Sequence, residues 1–323
     1  MPDRAPVVAV AGEVIIDLVP AGGEGLLRAA PGGSPANVAV GLTRLGVSTR
    51  LLARLSDDAM GRRLRQHLEA NGLALDHVVR AGEPTSLAIV SVGADGLVDY
   101  DFRVDGTADW QWSDEELSHA TDSSVVALHV GSLAMMMEPG ASALRRLVER
   151  VRAEITITFD PNVRPALMGR REDVVSRIEA LIGFADVVKA SGEDLAWLCP
   201  DEPPEAVAQR WLNAGPGLVV VTLGPDGSLA VGSAAGMVQR PAVSVSVVDT
   251  VGAGDAFMAA LIAGLRRRQL FGAARRAELA ALDHGALSDL LDDAALAAAL
   301  TCARAGADPP TVDELRAARP GPG

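Results

Sequence analysis

The segment Asp249-Thr250-Val251-Gly252-Ala253-Gly254-Asp255-Ala256-Phe257 decides how the rest of the chain is interpreted. The β-branched run Val243 to Val248 precedes it and predicts a strand, while the stretch Ala256 to Arg267 follows it and predicts a helix. The two glycines allow bare backbone N–H groups to come close to a ligand. A helix N-terminus behind such a turn attracts anions through its free N–H groups and its dipole. The segment therefore predicts an anion site between a strand and a helix.

Asp255 places a carboxylate at this anion-binding position. A structural helix cap explains one acidic residue there, but it does not explain why a second, Asp249, lies on the other side of the turn. A carboxylate beside a bound phosphoryl group has the chemistry of a general base. We therefore predict that Asp255 is a general base beside a phosphoryl pocket, with a helix cap as the alternative.

The composition limits the class of protein and its partners. The chain has 323 residues, 49% of them hydrophobic, which suffices for one large α/β domain, with or without a small accessory unit. Its net charge of -13 argues against nucleic acid or an anionic membrane as the main partner. Cys199 and Cys302 show neither pairing nor metal spacing, no apolar run reaches the roughly 18 residues of a transmembrane helix, and no signal-peptide pattern is visible. We therefore expect a cytoplasmic protein.

Lysine usage excludes two classes of nucleotide enzyme. Lys189 is the sole lysine, against 28 arginines. A P-loop NTPase needs a GxxxxGK[ST] stretch, and a protein kinase needs a strand lysine and an HRD loop; the sequence contains none of these. Phosphoryl transfer in this chain must therefore use backbone N–H groups, arginine and metal.

The N-terminal part offers candidate groups for binding a polyol. Val7 to Gly12 predicts a buried strand, and Asp17 follows it, where a carboxylate can accept hydrogen bonds from sugar hydroxyls. A solvated loop aspartate is the alternative.

A predicted helix follows the glycine pair Gly32-Gly33, which lets a ligand approach the backbone. Ser34 has the properties of a helix cap, and Gly46 marks the end of the helix. Asn37 lies in the first turn, away from the apolar stripe, and its amide both donates and accepts hydrogen bonds. It is either a polyol-binding group or an ordinary surface residue.

A pair of β-rich runs interrupts the alternation of strands and helices. Ser86 to Gly93 and Val98 to Val104 flank Ala94-Asp95-Gly96, which predicts an antiparallel hairpin. Such a hairpin is either a flap that keeps water from a transferring phosphoryl group or a plain edge hairpin.

Polar side chains follow three further predicted strands. Asp160, Asn162 and Arg164 follow the run Ile155 to Phe159, at the strand end where α/β folds place their chemistry. We assign Arg164 to a substrate or phosphate contact, whereas Asp160 and Asn162 also suit a turn.

Lys189 lies on the next predicted strand, and Ser191 to Asp194 follow it as a helix start whose first turn is acidic, which is itself a sufficient explanation of the acidic residues. Thr222 to Gly227 form a turn that either passes under a nucleotide phosphate or joins a β-hairpin.

With these motifs in place, the sequence resembles the ribokinase-like (PfkB) family of carbohydrate kinases. The resemblance rests on Gly32 to Asn37, on Thr222 to Gly227 and above all on Asp249 to Phe257. Within the family the chain looks most like the bacterial fructokinases. The features behind this are Phe102-Arg103, Gly106-Thr107-Ala108-Asp109, Gly131-Ser132, Glu138-Pro139 and Asp160-Pro161-Asn162-Val163-Arg164.

The resemblance implies an α/β fold with a central, mostly parallel sheet flanked by helices and a small β-sheet lid. Residues 1–323 would form a single domain, with the lid formed by about 13–31 and 85–112. As in related dimers, the lid would also form a homodimer contact.

The resemblance also implies ATP-dependent phosphorylation of a sugar hydroxyl, with fructose as the favoured acceptor. Asp255 would deprotonate the hydroxyl, and the N–H groups of Gly252, Ala253 and Gly254 would hold the γ-phosphoryl group, together with Arg164. The sugar contacts would be Asp17, Gly32, Gly33, Asn37, Arg103 and Asn162. The nucleotide contacts would be Thr222, Gly224, Gly227, Lys189 and Asp194.

For cofactors, the resemblance implies ATP, Mg²⁺ and K⁺. Mg²⁺ would be carried mostly on ATP phosphates and water, near Glu138 and Asp194. K⁺ would lie near Asp249 and Val251, against the loop 303–308. The chain departs from the family in two places: the usual Asn-x-x-Glu motif is Ser191 to Asp194, and the position near adenine is Ala295.

Three alternatives remain. A 2-keto-3-deoxygluconate kinase or a ribokinase would share the chemistry and differ in the acceptor. A non-catalytic sugar- or nucleotide-binding regulator would share the fold, but it would be expected to lack Asp255 or the glycines beside it, all of which are present. A dehydrogenase would need GxGxxG after the first strand, which is missing.

Overall fold

The computed structural model describes residues 5–22, 25–92 and 98–319. Its strands are Val7–Ala11 (β1), Ile15–Pro20 (β2), Leu27–Gly32 (β3), Thr49–Leu52 (β4), Arg54–Ser56 (β5), Val79–Ala81 (β6), Leu87–Val92 (β7), Val98–Arg103 (β8), Val125–Gly131 (β9), Thr156–Asp160 (β10), Val187–Ser191 (β11), Leu218–Thr222 (β12), Ser228–Gly232 (β13) and Gly236–Arg240 (β14). Its α-helices are Ser34–Arg44 (α1), Ala59–Ala70 (α2), Gly140–Val151 (α3), Pro165–Met168 (α4), Arg171–Ile182 (α5), Gly192–Leu198 (α6), Pro204–Asn213 (α7), Ala253–Arg267 (α8), Arg276–Ala280 (α9), His284–Cys302 (α10) and Val312–Ala318 (α11).

The main sheet has the order β14-β13-β12-β11-β10-β9-β1-β4, and its strands are parallel from β12 to β4. Strands β13 and β14 complete one edge as an antiparallel meander. Parallel strands place all their carboxyl ends along one edge, and β1, β9, β10, β11 and β12 therefore deliver their polar ends to the same side of the sheet. The predicted α/β class with a mostly parallel sheet is confirmed.

Helices cover both faces of the main sheet. Val8 and Val10 of β1 face a core with α1, α8 and α10, whereas Ala9 and Ala11 face a second core with α3, α5 and α7. Small residues let α1 and α8 come close, because a Cβ added at Gly41 would lie 2.7 Å from Ala259 Cβ. This close packing fixes the first turns of α1 and α8 beside each other.

A second sheet, with the order β3-β2-β7-β8, lies outside the main one. Strands β2 and β7 pair in parallel, while β3 and β8 pair in antiparallel fashion with their neighbours. Both predicted strands of the hairpin are present as β7 and β8; the predicted turn Ala94-Asp95-Gly96 lies outside the described residues. That this sheet acts as a lid stays a prediction.

Several predicted elements differ in the structure. The strand predicted over Val243 to Val248 is wrong: the segment forms no strand, and Val247 and Val248 are more than 60% exposed. β-Branched residues favour strands only where a neighbouring strand and a packed face are available. This segment instead crosses the surface toward α8 and donates from Val248 N–H to the Cys302 carbonyl.

Two helix boundaries and one strand also differ. Gly33, with φ 102°, is the cap of α1, and Ser34, predicted as the cap, is its first helical residue. Helix α8 begins at Ala253 rather than Ala256. The run Arg50 to Leu55 also predicts a single strand, but the structure divides it into β4 and β5, which belong to different sheets. None of the helices in the described ranges combines the length and apolarity that crossing a bilayer requires.

Candidate active site

The N-terminus of α8 carries the predicted anion turn. Gly252 has φ 77° and ψ 0°, in the left-handed region, and a Cβ there would lie 2.6 Å from Ala307 Cβ. Only glycine satisfies both constraints. The N–H of Ala253 donates to the Thr250 carbonyl at 3.3 Å, which closes the turn. The helix dipole and the remaining first-turn N–H groups make this end of α8 suited to an anion.

Asp255, in the first turn of α8, is held by two donors from α1. Ser34 Oγ donates to one carboxylate oxygen at 2.6 Å, and Asn37 Nδ2 donates to the other at 2.8 Å. The close approach of α1 and α8 at Gly41 and Ala259 makes both bonds possible. Both carboxylate oxygens of Asp255 are therefore held by side chains of α1, and the carboxylate is not a free helix cap.

Ser34 is a site residue that sequence reasoning missed, because its hydroxyl was assigned to a helix cap. The available signal was its position three residues before Asn37, which places both side chains on one face of the first helical turn.

Asp17 lies within electrostatic range of both Arg164 and Asp255. Burial raises the pKa of Asp17 to about 6; the positive charge of Arg164 opposes this rise and the negative charge of Asp255 adds to it. Gly32 leaves room for Asp17, since a Cβ at Gly32 would lie 2.2 Å from Asp17 Oδ2 and would displace the carboxylate. The second sheet thus brings a carboxylate to the edge of the main sheet where α8 begins.

Lys189 and Asp160 form a buried ion pair under the anion turn. Lys189 Nζ lies 2.7 Å from Asp160 Oδ2, and both side chains are at most 5% exposed. Nζ is also 3.1 Å from where a Cβ of Gly254 would be. Burial lowers the pKa of Lys189, but Asp160, Asp194 and Asp255 raise it above its usual value, so that the ammonium group stays charged.

Asn162 turns back toward the end of β9. It has φ 37°, and Ser132 has φ 54°, which is uncommon for residues other than glycine. Asn162 Nδ2 donates to Ser132 Oγ at 3.2 Å, and its backbone N–H donates to Asp160 at 3.2 Å. These contacts join the ends of β9 and β10.

Three other predicted site residues have local partners. Asp194 accepts from Ser191, in a capping box of α6, and from the Val163 N–H at 2.7 Å. Glu138 accepts from Ser142, and Arg103 pairs with Asp101 on its own strand.

The predicted nucleotide side lies at the end of β12. Thr222 pairs with Ser191 at the ends of β12 and β11. Gly224 and Gly227 have φ of 58° and 95°, and a Cβ at Gly227 would lie 2.1 Å from the Arg240 carbonyl oxygen. Gly227 thus places this turn against the backbone at the end of β14.

Asp249 secures the loop that packs against Gly252. Its carboxylate accepts from Val251 N–H at 3.0 Å and from Gly306 N–H at 2.8 Å.

Ala295, near which adenine was predicted, lies partly buried on α10. Across residues 5–22, 25–92 and 98–319, no three His, Cys, Asp or Glu side chains gather as a metal-binding group.

Comparison with known proteins gives a consistent result. The family model described as pfkB family carbohydrate kinase matches residues 6–314. A fructokinase of Rhizobium leguminosarum bv. trifolii is 33% identical over 279 residues, covering 85% of this chain and 84% of that protein. The structure of fructokinase from Xylella fastidiosa with bound ATP matches with a TM-score of 0.88 and 28% identity, covering 96% of this chain and 97% of the other. The structure of fructokinase from Vibrio cholerae O395 with fructose, ADP and calcium ion bound matches with a TM-score of 0.79 and 27% identity, covering 97% and 96%.

Proposed function

Because the chain belongs to the pfkB family of carbohydrate kinases, we propose that it transfers the γ-phosphoryl group of ATP to a hydroxyl group of fructose. The family inferred from the motifs is confirmed. The choice of fructose rests on the relatives, which are fructokinases, and on the fructose bound in the Vibrio cholerae structure.

One observation carries the mechanism: Asp255 stands at the N-terminus of α8, oriented by Ser34 and Asn37 and within electrostatic range of Asp17. A carboxylate accepts a proton from a hydroxyl, and the helix N-terminus beside it favours the negative charge of the group to be transferred. We assign the general base to Asp255 and the binding of the transferring phosphoryl group to Gly252, Ala253, Gly254 and Arg164.

The remaining residues divide between the two substrates. We assign the sugar to Asp17, Gly32, Gly33, Asn37, Arg103 and Asn162, and the nucleotide to Thr222, Gly224, Gly227, Lys189 and Asp194. Lys189 would act from beneath Gly254 as a fixed positive charge, and Asp194 through the capping box that holds α6 and the Val163 backbone.

The nucleotide would bring its own divalent ion. Mg²⁺ on ATP phosphates keeps several waters, so it does not need a cluster of protein carboxylates, and Glu138 and Asp194 would contact those waters. A monovalent cation, K⁺, would lie beside Asp249, Val251 and the loop 303–308, which packs on Gly252. Bound ATP supplies the transferred group; the chain supplies its alignment.

The cellular setting is part of the proposal. We assign the protein to the cytoplasm, where ATP is available and free cysteines persist. We assign a homodimer through the second sheet, because Leu26 and Leu27 at the start of β3 are 63% and 49% exposed.

The proposal is tested by ADP release with Mg·ATP and a panel of acceptors: fructose, ribose, 2-keto-3-deoxygluconate, adenosine, tagatose and fructose 6-phosphate, each with and without K⁺. Fructose should give the highest kcat/KM. A clear advantage for another sugar would overturn the choice of acceptor. If none of the acceptors supports ADP release, the non-catalytic regulator becomes the favoured alternative.

The half-buried carboxylate of Asp17 predicts a pH dependence of sugar binding. Its pKa of about 6 means that it takes up a proton as the pH falls from 8 to 5, and a protonated carboxyl accepts hydrogen bonds from hydroxyls poorly. We expect KM for the sugar to rise by roughly tenfold per pH unit below about 6. A folded-state pKa above the ordinary value makes the folded protein more stable as the pH falls. The rise in KM at low pH therefore does not come from unfolding driven by protonation of Asp17.

Asp17→Asn is the matched variant. Its KM for the sugar should be higher than that of wild type at pH 8 and flat between pH 5 and 8. If the variant keeps the wild-type slope, Asp17 is not the titrating group.

A further inference from the structure

Four passages of the chain connect the two sheets, and three of them meet at one buried group. The passages are the segment before β2, the segment between β3 and α1, the segment before β7, and the return after β8. Asp109 lies on the return, in a short 3₁₀-helix, and is 2% exposed. None of the motifs interpreted above gives Asp109 a role.

The side chain of Asp109 binds both strands that enter the second sheet. Its Oδ1 accepts from the N–H of Val14, directly before β2, at 2.8 Å. Its Oδ2 accepts from the hydroxyl of Ser86, directly before β7, at 2.5 Å. Ser86 Oγ is 2.6 Å from Thr107 Oγ1, on the same return segment. We call Val14, Ser86, Thr107 and Asp109 the crossing cluster.

The crossing cluster is closed and dry. Ser86 and Thr107 are 0% and 4% exposed, and the backbone adds a further link, because Ile16 N–H donates to the Ser86 carbonyl at 3.1 Å. Packed hydrogen-bonded networks of this kind fix a single arrangement of the segments they join. The direction in which β2 and β7 leave the main sheet therefore depends on Asp109.

That direction matters for the site, because the second sheet carries Asp17 on β2 and Arg103 on β8, whereas Asp255 belongs to α8. We propose that Asp109 is a positioning residue for sugar recognition: it sets where the second sheet holds its sugar-binding side chains relative to Asp255. This inference rests on the proposed function for the identity of the ligand, but not for the role of Asp109 in the fold.

The chemistry of the cluster indicates what Asp109 must supply. Burial raises its pKa to about 6, while the hydrogen bonds from Ser86 and Val14 and the positive charge of Arg54 oppose that rise. An asparagine could accept from Val14 through Oδ1 and donate to Ser86 Oγ through Nδ2. The Ser86 proton would then turn to Thr107 Oγ1, whose own proton is donated to the Val104 carbonyl. The hydrogen bonds of the cluster therefore require an acceptor for Val14 and a partner for Ser86, and asparagine can supply both.

The test compares Asp109→Ala, Asp109→Asn and Ser86→Ala with a matched control, Asp186→Ala. Asp186 is also buried and accepts a backbone N–H, from Ile157 at 2.8 Å, but it lies at the opposite edge of the main sheet. We expect Asp109→Ala to raise KM for the sugar by roughly tenfold or more and Ser86→Ala by a few-fold, with KM for ATP within about twofold of wild type. Asp109→Asn should stay close to wild type, and Asp186→Ala should lower thermal stability without changing KM for the sugar.

Hydrogen exchange tests the structural part of the proposal, that Asp109 holds the second sheet in place, without any substrate. The amides of Val14 and Ile16 should exchange faster in Asp109→Ala and Ser86→Ala than in wild type, Asp109→Asn or Asp186→Ala. Unchanged exchange in the first two, or an equal rise of KM for the sugar and for ATP, would overturn the proposal. If wild type phosphorylates no sugar, the proposed function fails, and exchange still shows whether Asp109 holds the second sheet.

Discussion

Asp255→Asn should lower kcat for sugar phosphorylation by about 10³-fold, with the fold intact and KM for ATP little changed. The substitution removes the only group in the first turn of α8 that can take the hydroxyl proton, and positioned general bases contribute on the order of 10²–10⁴ in rate. Single-turnover measurement of sugar phosphate formation isolates this step from product release.

A swapped pair separates proton transfer from orientation. In Asp255→Asn alone, the new amide faces the amide of Asn37, which now donates to the carboxylate at 2.8 Å. Adding Asn37→Asp restores a hydrogen-bonded carboxylate–amide pair but leaves the carboxylate on α1. We expect this double variant to recover stability and not activity. Recovery of more than about a tenth of the wild-type rate would mean that the pair, rather than a base at position 255, is what catalysis requires.

Lys189→Met should be the most destabilising single change near the site. It leaves Asp160, whose side chain is 2% exposed, as a buried carboxylate without its cation. Removing one partner of a buried ion pair costs about 3–5 kcal/mol, whereas replacing both by neutral groups is often tolerated. Lys189→Met/Asp160→Asn should therefore recover most of the lost stability, as measured by denaturant unfolding.

The same variants test the role of the charge in catalysis. If Lys189 serves the transferring phosphoryl group from beneath Gly254, the double variant should remain slow despite its recovered stability. The loss of stability in Lys189→Met should also be smaller at pH 5 than at pH 8. Burial raises the pKa of Asp160 even with Lys189 present, so the unpaired carboxyl takes up a proton as the pH falls. A double variant with wild-type kcat would limit Lys189 to a structural role.

The parts of the fold that local patterns determine were predictable from the sequence. The apolar runs at Val7 and Val125 are buried on both faces, and such continuous runs differ from the alternating pattern of the second sheet. The glycine turn before α8 was also predictable, because two glycines lie directly before a helical stretch that begins with an acidic residue.

The rest depends on contacts between distant segments. Val243 to Val248 has strand-forming residues, yet no sheet edge is paired with it. Ser34 reaches Asp255 across 221 residues of sequence, and Asp109 reaches Val14 across 95. Such pairs follow from the close packing of α1 on α8 and from the crossing of the chain between sheets, which no local pattern encodes.

The two-sheet arrangement has a consequence for how such an enzyme can diversify. Asp17 and Arg103 belong to the second sheet, whereas Asp255, Lys189 and Thr222 belong to the main sheet and α8. Under the proposed assignments, mutations in the second sheet can alter the sugar contacts of Asp17 and Arg103 while leaving Asp255 in place. The sugar contacts from Asn37 and Asn162 would stay with α1 and the end of β10. Selection on the second sheet can therefore change which sugar is accepted without changing the residues assigned to phosphoryl transfer.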